Sequence, residues 1–212
     1  MRKLFIPFFL GMAACGGGSS SSSSGGPSGT VAGHSFSSAE VVAVQVGATA
    51  CNLPGVPFSI QATALAIGLA SYTGQCSDLS TPFCTVHRSA ENVTLVIANA
   101  APFGAPAAIG PGTYALSGDF TPNISASPTL AAAAGVATDA SCVATTATPA
   151  GGSTVRIDSV SATRVTGHLD VTFSDGGRLQ GDFSAPVCAG VTPDICAVAQ
   201  SQGACSTTPQ CR

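Results

Sequence analysis

Four polar side chains near the carboxyl-terminal end have types and spacing that could do chemistry: Arg156, His168, Asp170 and Asp182. Two carboxylates beside an imidazole can share a proton as an acid/base pair, or hold a cation such as Ca2+. They can also be a plain solvated hairpin face. Two carboxylates are too few for Ca2+ without loop carbonyls, so no metal and no cofactor is expected here. The other reactive side chains are the cysteines Cys51, Cys76, Cys84, Cys142, Cys188, Cys196, Cys205 and Cys211, which follow Cys15. Zinc sites use close-spaced ligand pairs. No C-x-x-C pair occurs, and His34, His87 and His168 are not clustered near the cysteines. An even set of cysteines in an exported chain points instead to four disulfides. Spacing cannot select the pairing; the short-range expectation is Cys76 with Cys84 and Cys196 with Cys205. His87 is expected in a surface loop near Cys84, and His34 in solvent. No catalytic residue is assigned: the chain has no G-x-S-x-G elbow, H-E-x-x-H, phosphate loop or EF-hand loop.

The elements that would position the polar four can be read from residues 153–184. Apolar residues alternate along Val155 and Ile157, then Val165, Leu169, Val171 and Phe173, then Leu179 and Phe183. Asp175-Gly176-Gly177 is turn material. A two-residue loop there would place Phe173 opposite Arg178 and mix the faces. A three-residue loop at 175–177 places Phe173 opposite Leu179 and Leu169 opposite Phe183, with Gly177 in the left-handed position. A loop at Ser161–Thr163 pairs Val155 with Leu169. The result is a three-stranded antiparallel meander with Gly167 and Gly181 on its inner face, where they leave room for a neighbour. On the outer face Arg156 falls opposite His168, Asp170 opposite Asp182, and Arg156 diagonal to Asp170. Facing carboxylates need a neutraliser.

Other strand-length segments are Val41–Val46, Phe58–Leu69, Val93–Ala98 and Gly112–Ser117, each bounded by turn-forming residues. In the second, Phe58 and Ile60 have the opposite parity to Leu65, Ile67 and Leu69, so a bulge is expected near Ala62–Ala64. Residues 121–150 are rich in Ala, Thr and Pro. They read as a long loop with a helical turn at Leu130–Ala134 and a fastening at Cys142. Residues 188–212 form a Cys-rich tail.

The amino terminus has a different role. Arg2 and Lys3 precede an apolar run from Leu4 to Leu10 and a small-residue stretch, the layout of a secretory signal over residues 1–14. The run is too short to span a bilayer, which takes about 20 residues. Met12-Ala13-Ala14-Cys15 resembles the lipobox of bacterial lipoproteins, with Met12 in place of the usual Leu. The resemblance implies cleavage before Cys15 and acylation there. It further implies an outer-membrane or cell-surface location, because Gly16 follows the cysteine instead of Asp. Residues 16–30, GGGSSSSSSGGPSGT, cannot bury apolar area. They read as a flexible tether with a reach of about 20 Å.

Without residues 1–15 the chain has five Arg, no Lys and ten acids, a net charge of −5. Nucleic acid is therefore excluded as a partner. The folded part, residues 31–212, suits one domain, or at most two small ones. Ser153 to Ile157, the strand with Gly167, the turn Asp175–Gly177 and Gly181-Asp182-Phe183-Ser184-Ala185-Pro186-Val187-Cys188 resemble a broad group of bacterial lipoproteins of unassigned activity. That resemblance implies a β-rich domain and no particular chemistry. The expected fold is mainly β, an antiparallel β-sandwich or barrel-like single domain with the meander at its end. The expected role is a binding or structural module of the cell envelope, anchored through acyl chains on Cys15, whose partner is an envelope protein or a glycan. Two alternatives stay open: a secreted enzyme with a non-local acidic site, which places His168, Asp170 and Asp182 in a cleft, and an inhibitor of extracellular proteases braced by the Cys-rich tail.

Overall fold

Period-two alternation of apolar and polar residues builds two antiparallel sheets that bury one face each against the other. The computed structural model describes residues 26–52, 59–80, 85–101, 104–120, 129–192, 196 and 210–212. The signal segment, Cys15, residues 16–25, Phe58, Cys84, Cys205 and most of the Cys-rich tail lie outside the described residues. The strands are β1 (Ser28–Val31), β2 (His34–Ser37), β3 (Glu40–Cys51), β4 (Ile60–Ala70), β5 (Thr85–Val86), β6 (Glu91–Ala101), β7 (Gly112–Ala115), β8 (Thr129–Thr138), β9 (Ala144–Ala147), β10 (Thr154–Val160), β11 (Arg164–Thr172), β12 (Arg178–Pro186) and β13 (Gln210–Cys211), with one short helix, α1 (Gln75–Ser80). One sheet runs β2-β1-β12-β11-β10-β7 and the other β3-β4-β6-β8-β9, while β13 and β5 form a small parallel pair. The fold is a β-sandwich, not a closed barrel. Its sheets touch at their margins, where Val187 bridges to Ala43 and Ser117 to Ala132.

The core lies between the sheets. Leu65, Ile67 and Leu69 of β4 and Val93, Leu95 and Ile97 of β6 meet Val155, Ile157, Leu169, Val171, Leu179 and Phe183 of the meander. Phe173 is among the largest fully buried side chains. Burying each such group contributes about 1.5–3 kcal/mol relative to leaving it in water.

The meander forms with the expected inner face but a different register. Loop closure comes one residue earlier: Phe173 N–H donates to Gly177 O (2.7 Å), and Gly176, not Gly177, takes the positive φ of 86°. Val171 therefore faces Leu179 and Leu169 faces Gly181, a slip of two residues from the expected pairing. An even slip leaves every side chain on its own face, so burial could not select between the registers. At the other hairpin Val155 does face Leu169. The extra residue of that hairpin is taken up by a bulge between Ile157 and Ser159, not by a longer loop. Gly167 is required by close approach: a Cβ there would lie 2.1 Å from the Arg156 carbonyl oxygen and 2.7 Å from the Phe183 ring.

Three further expectations are corrected. The Ala-rich segment is strand β8, neither loop nor helical turn, and pairs with β6 from Glu91↔Ala137 to Asn99↔Thr129. Its small residues are a packing requirement, since Val31 and Phe173 occupy the space a Cβ on Gly135 would need. The bulge expected in β4 lies in its partner: β4 is continuous, and β3 shifts register between Val46 and Thr49, opposite Ala62–Ala64. The domain also begins before residue 31. Ser28 and Gly29 pair with Gln180 and Leu179 of β12, so the end of the expected tether is an ordered strand.

The described disulfides are long-range. Cys51 bonds Cys196, Cys76 bonds Cys188, and Cys142 bonds Cys211. The local pairs Cys76 with Cys84 and Cys196 with Cys205 are thereby ruled out. Sequence spacing measures loop length, whereas the fold brings α1 beside the end of β12. Disulfides of this kind persist outside the reducing cytosol, which makes the domain extracytoplasmic.

Candidate functional site

The polar residues of the meander pair off on its outer face, with Arg156 opposite His168 as expected. His168 faces Asp182 across the strands, its Nδ1 2.7 Å from the carboxylate, and Asp170 faces Gln180. Arg178 donates to both Asp170 oxygens at 3.1 Å, and Arg156 pairs with Asp158 at the bulge (2.8 Å). The expected Asp170/Asp182 juxtaposition is absent because the two-residue slip moves each acid onto a cationic or imidazole partner. These side chains are open to solvent, with Asp182 87% exposed. They are surface pairs, each worth about 0–1 kcal/mol. Among the described residues no group of His, Cys, Asp and Glu could hold a metal ion.

The outer face of the five-stranded sheet presents something else. Alternation sends Val93 and Leu95 inward, so Asn92 and Thr94 of β6 point outward, as do Val136 and Thr138 of β8 and Ala144 and Thr146 of β9. Over them lie Tyr72, α1 with Gln75, Asp78 and Leu79, and Val86 and His87 at β5. Together they line a partly open cavity of about 250 Å3.

Several contacts hold α1 in place. Six residues are too few for a helix to persist alone. Glu40 of β3 accepts the N–H groups of Gly74 (2.6 Å) and Gln75 (2.8 Å), satisfying donors that begin the helix. Cys76–Cys188 fastens it to the chain after β12. Gln75 packs down onto Gly68 of β4, where a Cβ would meet its Cγ at 2.8 Å. The His87 side has its own supports. Thr138 Oγ1 lies against the carbonyl oxygens of His87 and Ala90 and accepts the Ala90 N–H, and Val86 pairs with Cys211, which bonds Cys142.

At the polar end of the cavity Asp78 Oδ2 accepts from Tyr72 OH (3.0 Å) and from His87 Nε2 (2.9 Å). The Tyr72 and His87 rings stack with centroids 3.8 Å apart. Asn92 Nδ2 donates to Tyr72 OH at 3.5 Å. Burial pushes the Tyr72 phenol well above its ordinary pKa; the Asn92 donor opposes this and the Asp78 charge adds to it. Tyr72 thus holds its proton and donates it in a hydrogen bond to Asp78. Gln75 is 1% exposed, and its Oε1 is buried without a hydrogen-bond partner. Such an acceptor costs about 1–3 kcal/mol.

An aspartate that fixes an imidazole is one part of an acid/base machine. What the arrangement offers is a rigid recess with acceptors at one end and Leu79, Val86, Ala90, Val136 and Ala144 around it.

Sequence reasoning placed His87 in a surface loop and passed over Tyr72, Asp78 and Asn92. Their spacing is uninformative, since they sit on different elements. One signal was present: Tyr72 is one of only two tyrosines, and it stands in a polar stretch beside Cys76. His34 is exposed as expected, with Nδ1 3.8 Å from Glu91. Comparison with family models, with curated proteins and with solved structures found no match for this chain.

Proposed function

We propose that this chain is a lipid-anchored binding module of the bacterial cell envelope, held at the outer membrane or cell surface by acyl chains on Cys15. The reading rests above all on the recess beside Asp78, which is built on a rigid sheet and held by disulfide-fastened elements. Loop-borne polar groups on such a scaffold are the usual material of recognition. The lipobox-like Met12–Cys15 and the Gly/Ser run behind it support the anchor. No helix of the described residues is long and apolar enough to cross a membrane. More than one acyl chain is needed for firm attachment, at about 0.8 kcal/mol per buried CH2. An envelope protein or a glycan remains the proposed partner class for the domain surface.

The test is metabolic labelling with a clickable fatty acid in a bacterial host that processes lipoproteins. The wild type is expected to take up label and sediment with membranes. Cys15→Ala is expected to lose the label and appear in the soluble extracytoplasmic fraction. An unlabelled wild type with an intact amino terminus upstream of Cys15 would overturn the anchor.

A further inference from the structure

The geometry points to a binding site for a small organic cation, a primary ammonium on a short apolar body, in the cavity between α1 and the outer face of β6, β8 and β9. The inference rests on the binding-module reading and gives it a ligand class. Its first support is the balance of donors and acceptors. Asp78 lines the cavity, and its bonds from Tyr72 and His87 both fall on Oδ2. An ammonium brings three N–H donors and a full positive charge to that carboxylate.

The second support is charge. Asp78 lines the cavity, and Glu40, bound to the first N–H groups of α1, adds a second negative charge that acts on Tyr72. His87 is the titratable group facing Asp78. Arg88, next to it in sequence, is exposed and is not among the lining residues. An anion would meet Asp78 directly, and a neutral polar ligand would forgo the charge-assisted bond, which is roughly twice as strong as a neutral one. The third support is shape. Leu79, Val86, Val136 and Ala144 supply an apolar wall, and Tyr72 adds an aromatic ring to the lining. An engineered cavity of about 150 Å3 admits benzene, so about 250 Å3 accommodates roughly ten non-hydrogen atoms by proportion.

The experiment uses the full mature chain in detergent micelles and three probes of matched size: 2-phenylethylamine, 2-phenylethanol and phenylacetate. Binding is followed by calorimetry and by the amide and ring resonances of Tyr72 and His87. The amine is expected to bind saturably, with a dissociation constant of about 1 mM or tighter. The alcohol is expected to bind at least about tenfold more weakly, and phenylacetate not detectably. Asp78→Asn should weaken the amine at least about tenfold. Because Asp78→Asn also disturbs Tyr72 and His87, Val136→Phe provides a second variant: it fills the cavity from its apolar wall on β8 and should weaken the amine severalfold. If the alcohol or the carboxylate binds as well as the amine, or if amine binding survives both substitutions unchanged, the cation inference is overturned while the binding-module reading stands. If none of the three probes binds, the cation inference is overturned; the binding-module reading, whose proposed partner is an envelope protein or a glycan, does not depend on these probes.

Discussion

Removing the Cys76–Cys188 bridge by a Cys76→Ala/Cys188→Ala double substitution should destabilise the domain by an amount that depends on a second bridge. The two cysteines are 112 residues apart. Alone, such a crosslink withdraws about 4.8 kcal/mol of chain entropy from the unfolded state. Cys51–Cys196 encloses the pair and offers a second route between them in the unfolded chain. That route passes through 25 residues from Cys51 to Cys76 and eight from Cys188 to Cys196, about 33 in all. Two routes in parallel act as a loop of about 25 residues, and the expected loss falls to about 3.5 kcal/mol. With a urea slope of about 2.5 kcal/mol/M, the unfolding midpoint drops by about 1.4 M. The same substitution made after Cys51→Ala/Cys196→Ala should cost about 4.8 kcal/mol, because the shorter route is gone. Hydrogen exchange adds a local readout: amides of α1 should lose protection while β4 and β6 retain theirs. Equal losses in the two backgrounds, or a loss below about 1 kcal/mol, would refute the reasoning.

Four smaller predictions follow from the packing and the charges. Gly167→Ala forces a methyl against the Arg156 carbonyl and the Phe183 ring, and should cost about 3 kcal/mol by chemical denaturation. Phe173→Ala empties a fully buried position under Gly135, for about 3–5 kcal/mol by the same measurement. His168→Ala and Asp182→Asn should each change stability by less than about 1 kcal/mol, and less still at high salt, since the pair is exposed. The raised Tyr72 pKa means the fold retains a proton that the unfolded chain releases near pH 10. Its contribution is full below that pH and declines as the pH rises further, by less than about 1.4 kcal/mol per unit because solvent screens the half-buried ring. Tyr72→Phe should flatten the fall of Tm above pH 10, and an unchanged slope would contradict the assigned burial.

Chain pattern alone determined the β class, the inner face of the meander and the need for glycine at 167, because side-chain alternation is a local property with a period of two. It also determined that cysteines would be joined in disulfides, though not which ones. Tertiary structure decided what no local pattern encodes. Registers differing by two residues bury the same face, and the choice fell to the turn in which Gly176 takes the left-handed position. Residues 129–138 look like a loop because alanine has little strand preference of its own, yet they are the strand that fits beneath Phe173 and Val31. Disulfide partners were set by which chain ends the sandwich brings together, over separations of 69 to 145 residues. The Tyr72–Asp78–His87 cluster was invisible for the same reason: its members come from a connection, a short helix and the residue after a two-residue strand. Only the stacking of those pieces onto the sheet makes them neighbours.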